Sequence, residues 1–457
     1  MPRGYRRRVA VTVDRAGVAQ RVRGDLKNVR AELEGLVRIP SVSHPGHDPQ
    51  HVKRSAGETK RILDKAGMRT RILQHGDGGP AAVGWIAAPA GAPTVLLYAH
   101  HDVQPTGPRD LWHSDPFEPV EKGGRLYGRG TSDDKCGVAI HAAAIRAWNG
   151  KPPVGVIVFV EGEEEWLSPS LVPLLEQNQG DLRCDAVVLA DSGMWRAGQP
   201  GLTISLRGVV SCDVEVRTLD HAVHSGEFGG PVPDAITVLA RTIAKLHDDR
   251  GNVAVPGIAT GPADALDLTE DELRAQTGLR PGVTLIGDGG MTERMWTRPA
   301  IDVLGIDSPR IEGSTNQLVP SARARISMRI PPGQEGGAAL KALTEHLRAS
   351  VPWGAEATIT PRSKGQPYRV ETSGRAYDAM KRAMRETWGR DAVLMGAGGS
   401  IPFVFDFARL FPRASILLTG AGDPTSNAHS EDESVSLDDL EKSCVAEALF
   451  FGYLGGQ

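Results

Sequence analysis

Cysteine is scarce in this chain of 457 residues: Cys136, Cys184, Cys212 and Cys444 lie far apart and form no C-x-x-C pair. Such spacing offers neither a thiolate metal site nor a disulfide framework, and reduced, mostly buried thiols in a cytoplasm are the expectation. Long apolar runs are missing too. None reaches the ~18 residues needed to span a bilayer. The short apolar run at residues 9–13, behind Arg3, Arg6, Arg7 and Arg8, gives way at once to Asp14 and is too brief for a signal peptide. The chain reads as soluble and not exported. Charge of one sign is not in excess either: 52 Lys and Arg against 56 Asp and Glu leave a formal net charge of -4, which argues against nucleic acid or an acidic membrane as partner.

What is present describes an ordinary globular protein, with 40% hydrophobic and 24% charged residues. The 54 glycines and 32 prolines imply many turns and loops. A length of 457 residues exceeds one ordinary core, and two domains are expected.

Apolar residues at helical spacing mark a helix at 22–37, stopped by Pro40, and a second follows at about 51–65. Between them, residues 41–50 carry His44 and His47 on a polar, turn-rich stretch that reads as a solvated loop. A strand begins at 68–73. Four apolar runs then read as strands that end in polar turns: 95–99 before His100, His101 and Asp102; 154–160 before the acidic run at 161–165; 186–190 before Asp191; and 414–419, which leads through glycines to His429. A helix is expected at 136–148, with Asp133 and Asp134 at its N-terminus, where the dipole favours negative charge. The middle of the chain alternates differently, with strands within 202–216, a helix at 235–246, a strand at 322–330, a helix at 338–347 and a strand at 356–360. Residues 251–299 read as long loops with short helices, and a helix at 373–388 returns the chain to its first domain. The expected organisation is α/β: a catalytic domain of residues 1–202 and 364–457, with a central, mostly parallel sheet flanked by helices, interrupted by an α+β lid or dimerisation domain at 203–363.

In such sheets ligands bind beyond the carboxyl ends of the strands, where the histidines and carboxylates named above collect. Alternation along a strand lets His100 and Asp102 share a face while His101 points away. Two histidines with several carboxylates and no cysteine suit a metal with nitrogen and oxygen ligands. Two metals sharing a carboxylate would need about five protein ligands plus a water, and the chain offers that number.

The segments AHHDVQP, LWHSDPFEP, LYGRGTSDDKCG, EGEEEW, LADSGMW, HSGEFGG, GGSIPF and NAHSEDE occur in that order between residues 99 and 433. In wording and order they resemble the dinuclear zinc exopeptidases and deacylases, which include carnosinase-like dipeptidases, glutamate carboxypeptidases, aminoacylases and succinyl-diaminopimelate desuccinylase. DVQP and HSGEFGG look nearest the dipeptidase branch.

The resemblance implies two Zn2+ per chain, with Mn2+ or Co2+ as substitutes, and a role for each residue. His100 would bind one metal with Asp102 clamping its ring; Asp133 would bridge both; Asp191 would complete the first, and Glu165 and His429 would hold the second. Glu164 would be the general base, with Glu163 one position away as the other choice in EGEEEW. His224 would come from the partner subunit of a homodimer to hold the oxyanion, Arg329 would grip a substrate carboxylate, and Gly399 and Ser400 would add backbone donors. Cys136 stands where a glycine is common and reads as a small buried residue. His113, His141, His221, His247 and His346 lack metal context and read as structural or exposed. The implied activity is hydrolysis of short peptides with a free C-terminal carboxylate. The alternatives are an N-acyl or N-carbamoyl amino acid amidohydrolase at the same site, and a binding homologue without turnover.

Overall fold

The computed structural model describes residues 14–264, 266–399 and 401–456. Ser400, the four N-terminal arginines and the apolar run at 9–13 lie outside the described residues. Two compact units are present. One combines the chain up to Ile204 with Val370–Met395 and the segment from Asp406 onward; the other is Ser205–Arg369 with Gly396–Phe405.

In the first unit the apolar runs become a buried sheet. Gly155–Glu161, Thr94–His100, Ala186–Leu189 and Ser415–Leu418 lie side by side in that order, all parallel. Every residue of Gly155–Glu161 is buried, as expected of a strand covered on both faces. Antiparallel strands extend both sides, Ala81–Ile86 and Arg69–Leu73 beyond Gly155–Glu161, and Gly201–Leu206 beyond Ser415–Leu418. The sheet is therefore mixed, with a parallel centre.

Helices flank it. Arg15–Val37 starts earlier than its apolar spacing suggests because Asp14 caps it, accepting the Gly17 N–H at 2.9 Å, a contact worth about 1 kcal/mol. Pro49–Lys65 is capped in the same way by Asp48. Lys135–Arg146 and Arg375–Trp388 follow the expected helices closely. Leu437–Leu454 was not anticipated: everything from Cys444 to Leu454 is buried, so no polar face marks its period. Cys136, Cys184, Cys212 and Cys444 are all free thiols, and Cys136 is buried.

The second unit is built on a four-stranded antiparallel sheet in the order Ala300–Asp307, Ser321–Ile330, Gly208–Arg217, Glu356–Gly365. Helices Ala235–Ala244 and Gly336–Ser350 pack on it around Val210, Val214, Leu239, Ile326, Met328 and Leu343. Within 251–299 the helix Glu270–Thr277 is fixed by a capping box between Thr269 and Glu272. Among the described residues, no helix is long and apolar enough to cross a membrane.

Candidate metal centre

The strand Thr94–His100 ends on His100, so Asp102 lies just past it and not on its pleat. The two still meet. His100 Nδ1 is 3.1 Å from the Asp102 backbone oxygen and 3.5 Å from its carboxylate, while His100 Nε2 faces Asp133 at 2.9 Å. His101 turns the other way: its Nε2 donates to the Pro80 carbonyl at 2.9 Å, and burial lowers its pKa to about 4. A Cβ on Gly162 would lie 2.6 Å from that ring, so the close approach requires glycine.

Two donor groups form at the carboxyl ends of the parallel strands. His100, Asp133 and Asp191 bring one ligand atom each within 4.8 Å of one another, and Asp133, Glu165 and His429 do the same. Asp133 belongs to both. His429 Nε2 lies 2.9 Å from Asp133 and 3.2 Å from Glu165. The turn carrying Asp191 packs so tightly on Gly420 that a Cβ there would sit 1.9 Å from the Ser192 carbonyl oxygen.

The electrostatics of the cluster favour positive charge. Burial, added to repulsion from neighbouring carboxylates, holds the Glu164 and Asp191 carboxyls well above their usual range and raises Glu165. Burial alone would lower His100, but Asp102 and Asp133 hold its pKa well above the usual value; hydrogen bonds to Asp133 and Glu165 push His429 up to about 11. The field that favours imidazolium at both rings would equally draw a cation. Hard oxygen donors with imidazole nitrogen fit Zn2+, Mn2+ or Co2+, so the donor set suits the metals that the sequence implies.

Adjacent glutamates divide their work. Glu163 accepts the Gly79 N–H at 2.6 Å and the Ser170 N–H at 2.7 Å, which commits both its oxygens to pinning loops. Glu164 stands beside the donor groups with its backbone N–H on Asp102 at 3.2 Å. Among the described residues no hydrogen bond engages the Glu164 carboxylate, in contrast to that of Glu163.

Several participants were not singled out beforehand. Ser43 donates to Asp102 at 2.7 Å, and Gln104 donates to Glu165 from its backbone at 3.1 Å and from its side chain at 2.7 Å. Gln104 lay inside AHHDVQP and could have been noticed there. The Glu433 carboxylate, fully buried, accepts from the Asp133 turn. His44, expected in solvent, is half-buried with its ring edge-on to Trp166 at 5.0 Å between centroids.

The remaining expected residues belong to the second unit. His224 is exposed, and its Nδ1 accepts the Gly226 N–H at 3.0 Å, so Nε2 carries the ring proton. Arg329 lies half-buried in Ser321–Ile330. Arg207, also not foreseen, donates to the Gly398 carbonyl at 3.0 Å; burial and the nearby Arg329 charge lower its pKa to about 10. Gly399 is exposed beside Gly398.

The pattern of Peptidase family M20/M25/M40 matches residues 96–450. A cysteinylglycine-S-conjugate dipeptidase of Corynebacterium striatum is 33% identical over 416 residues, covering 89% of this chain and 91% of its own. A Beta-Ala-His dipeptidase of Homo sapiens is 28% identical over 379 residues, covering 78% and 74%. The solved structure of the di-peptidase Dug1p from Saccharomyces cerevisiae matches at a TM-score of 0.84 with 22% identity, over 97% of this chain and 99% of that one, which establishes a shared fold. Family pattern and extended identity agree that this chain belongs to Peptidase family M20/M25/M40.

Proposed function

We propose that the chain is a metal-dependent dipeptidase that hydrolyses short peptides with a free C-terminal carboxylate. The observation that carries this reading is the place of Asp133 in both donor groups, with Glu164 beside them and its carboxylate in no hydrogen bond among the described residues. Two relatives named as dipeptidases support it.

Two divalent cations, held by His100, Asp133 and Asp191 and by Asp133, Glu165 and His429, would polarise the scissile carbonyl and lower the pKa of an attacking water. Glu164 takes that water's proton onto a carboxylate oxygen and delivers it to the leaving amine as the C–N bond breaks. Asp102 holds the His100 ring in register. His224, supplied by the partner subunit of a homodimer, donates its Nε2 proton as a hydrogen bond to the developing oxyanion; its exposure and its tautomer support this role. Arg329 grips the substrate carboxylate, and Gly399 and Ser400 add backbone donors. Zn2+ is the proposed metal, and four free thiols support a cytoplasmic setting.

The test is the metal-reconstituted protein against dipeptides, tripeptides, and N-acyl and N-carbamoyl amino acids. Dipeptides should be cleaved fastest. Turnover confined to N-acyl or N-carbamoyl amino acids would replace the dipeptidase reading with an amidohydrolase at the same centre.

A further inference from the structure

Glu433 is a buried carboxylate in the segment of His429, four residues beyond it, and its side chain leaves that segment to reach the turn that carries Asp133. Five hydrogen bonds converge on it. Oε1 accepts the backbone N–H groups of Ser132 at 2.9 Å and Asp133 at 3.1 Å, together with the Ser132 hydroxyl at 3.2 Å. Oε2 accepts the Gly130 N–H at 2.9 Å and Arg129 Nη1 at 2.8 Å. Its backbone carbonyl accepts the Gly128 N–H at 2.8 Å, so main chain and side chain both grip the same turn. Arg129 is itself buried and stacked over Trp112 at 5.3 Å, which leaves the pair no freedom to swing into solvent. Successive backbone N–H groups turned toward one anion make a nest; here the anion is the protein's own.

We propose that Glu433 is a positioning residue for the second metal. It sets the distance between Asp133 and His429, two of the three donors in the group Asp133, Glu165 and His429, by tying their loops together through one carboxylate. The group His100, Asp133 and Asp191 shares only Asp133 with this device, since its other two donors stand at the ends of the strands Thr94–His100 and Ala186–Leu189. Loss of the Glu433 charge should therefore weaken one ion far more than the other. This inference rests on the two-metal reading above.

A glutamine keeps the shape of Glu433 but turns an amide N–H2 toward backbone N–H groups, on whichever side it faces. Wild type and Glu433→Gln, stripped by a chelator, would be titrated with Zn2+ against a chromophoric competitor, with thermal unfolding of each metal-free protein followed in parallel. Wild type should take up two ions. In Glu433→Gln one of the two ions should lose roughly 10- to 100-fold in affinity, the range for partners that orient metal ligands, while the other changes much less. Two ions bound with wild-type affinities would overturn the inference, whatever happens to the melting temperature. So would equal weakening of both, which is what a merely structural role would give. Fewer than two ions in wild type would instead overturn the two-metal reading. Should the glutamine chain not fold, Glu433→Asp carries the same test: it keeps the charge but falls one methylene short of the turn, and an unweakened second ion would refute the proposal.

Discussion

Asp102 Oδ2 accepts the backbone N–H of Glu165 at 3.0 Å. The same carboxylate accepts the Glu164 N–H and the Ser43 hydroxyl while facing His100, so one buried side chain ties two strand ends together. Asp102→Asn must present an N–H2 to one of those donors. We expect kcat/KM to fall by roughly 10- to 100-fold, with weaker Zn2+ binding. Steady-state kinetics with a metal titration checks this, and a wild-type profile would remove Asp102 from the positioning scheme.

The two neighbouring glutamates should separate cleanly. Glu164→Gln should lower turnover by about 10²- to 10⁴-fold while metal analysis still finds two ions per chain. Glu163→Gln should leave kcat nearly intact but cost about 1–3 kcal/mol in stability, since its oxygens hold the Gly79 and Ser170 N–H groups. Reversed outcomes would move the base by one position.

A His224→Ala protein should fold, hold two ions and lose most of its rate. Mixing it with Glu164→Gln should regenerate some active sites if the histidine crosses between subunits. An assay of the mixture against each parent decides, and no recovery would contradict the shared site.

Stability should carry a pH signature from His141 and Glu447. His141 is buried, with Nδ1 2.9 Å from Glu447 and Nε2 3.1 Å from the Tyr98 carbonyl oxygen. Burial alone would lower its pKa, but the Glu447 carboxylate raises it above the usual 6.5. A histidine whose folded pKa is raised contributes stability that is complete below its unfolded pKa of ~6.5 and is lost as pH rises through the folded value. The stability gap between wild type and Glu447→Gln, followed by denaturant unfolding with metal saturating, should therefore be widest near pH 6 and narrow toward pH 9. A gap constant across that span would show that His141 does not titrate with folding.

The sheet was most legible in the sequence where an apolar run ends on polar residues. Thr94–His100, Gly155–Glu161 and Ala186–Leu189 are continuous apolar segments, so the histidines and carboxylates that follow them stood out. The strand Ala81–Ile86 did not, because AAVGWI is short and broken by Gly84; pairing with Gly155–Glu161 makes it a strand. His100 and Asp102 share a face while His101 points away, although the strand itself ends at His100. Glu163 and Glu164 are identical in type, and only their separate hydrogen-bond partners tell them apart. Glu433 could not be assigned from pattern at all, since the turn it grips lies 300 residues away in sequence.

Ser415–Leu418 lies between Ala186–Leu189 and Gly201–Leu206 in the sheet, although the whole second unit intervenes in the chain. During synthesis the outer edge of Ala186–Leu189 must therefore wait, unpaired, while the second unit is translated. An open strand edge is where another chain can pair, so a half-made molecule is at its most vulnerable to association during that interval. The same order staggers the donors: His100, Asp133 and Asp191 are all made before the second unit, whereas the other donor group stays incomplete until His429 is made.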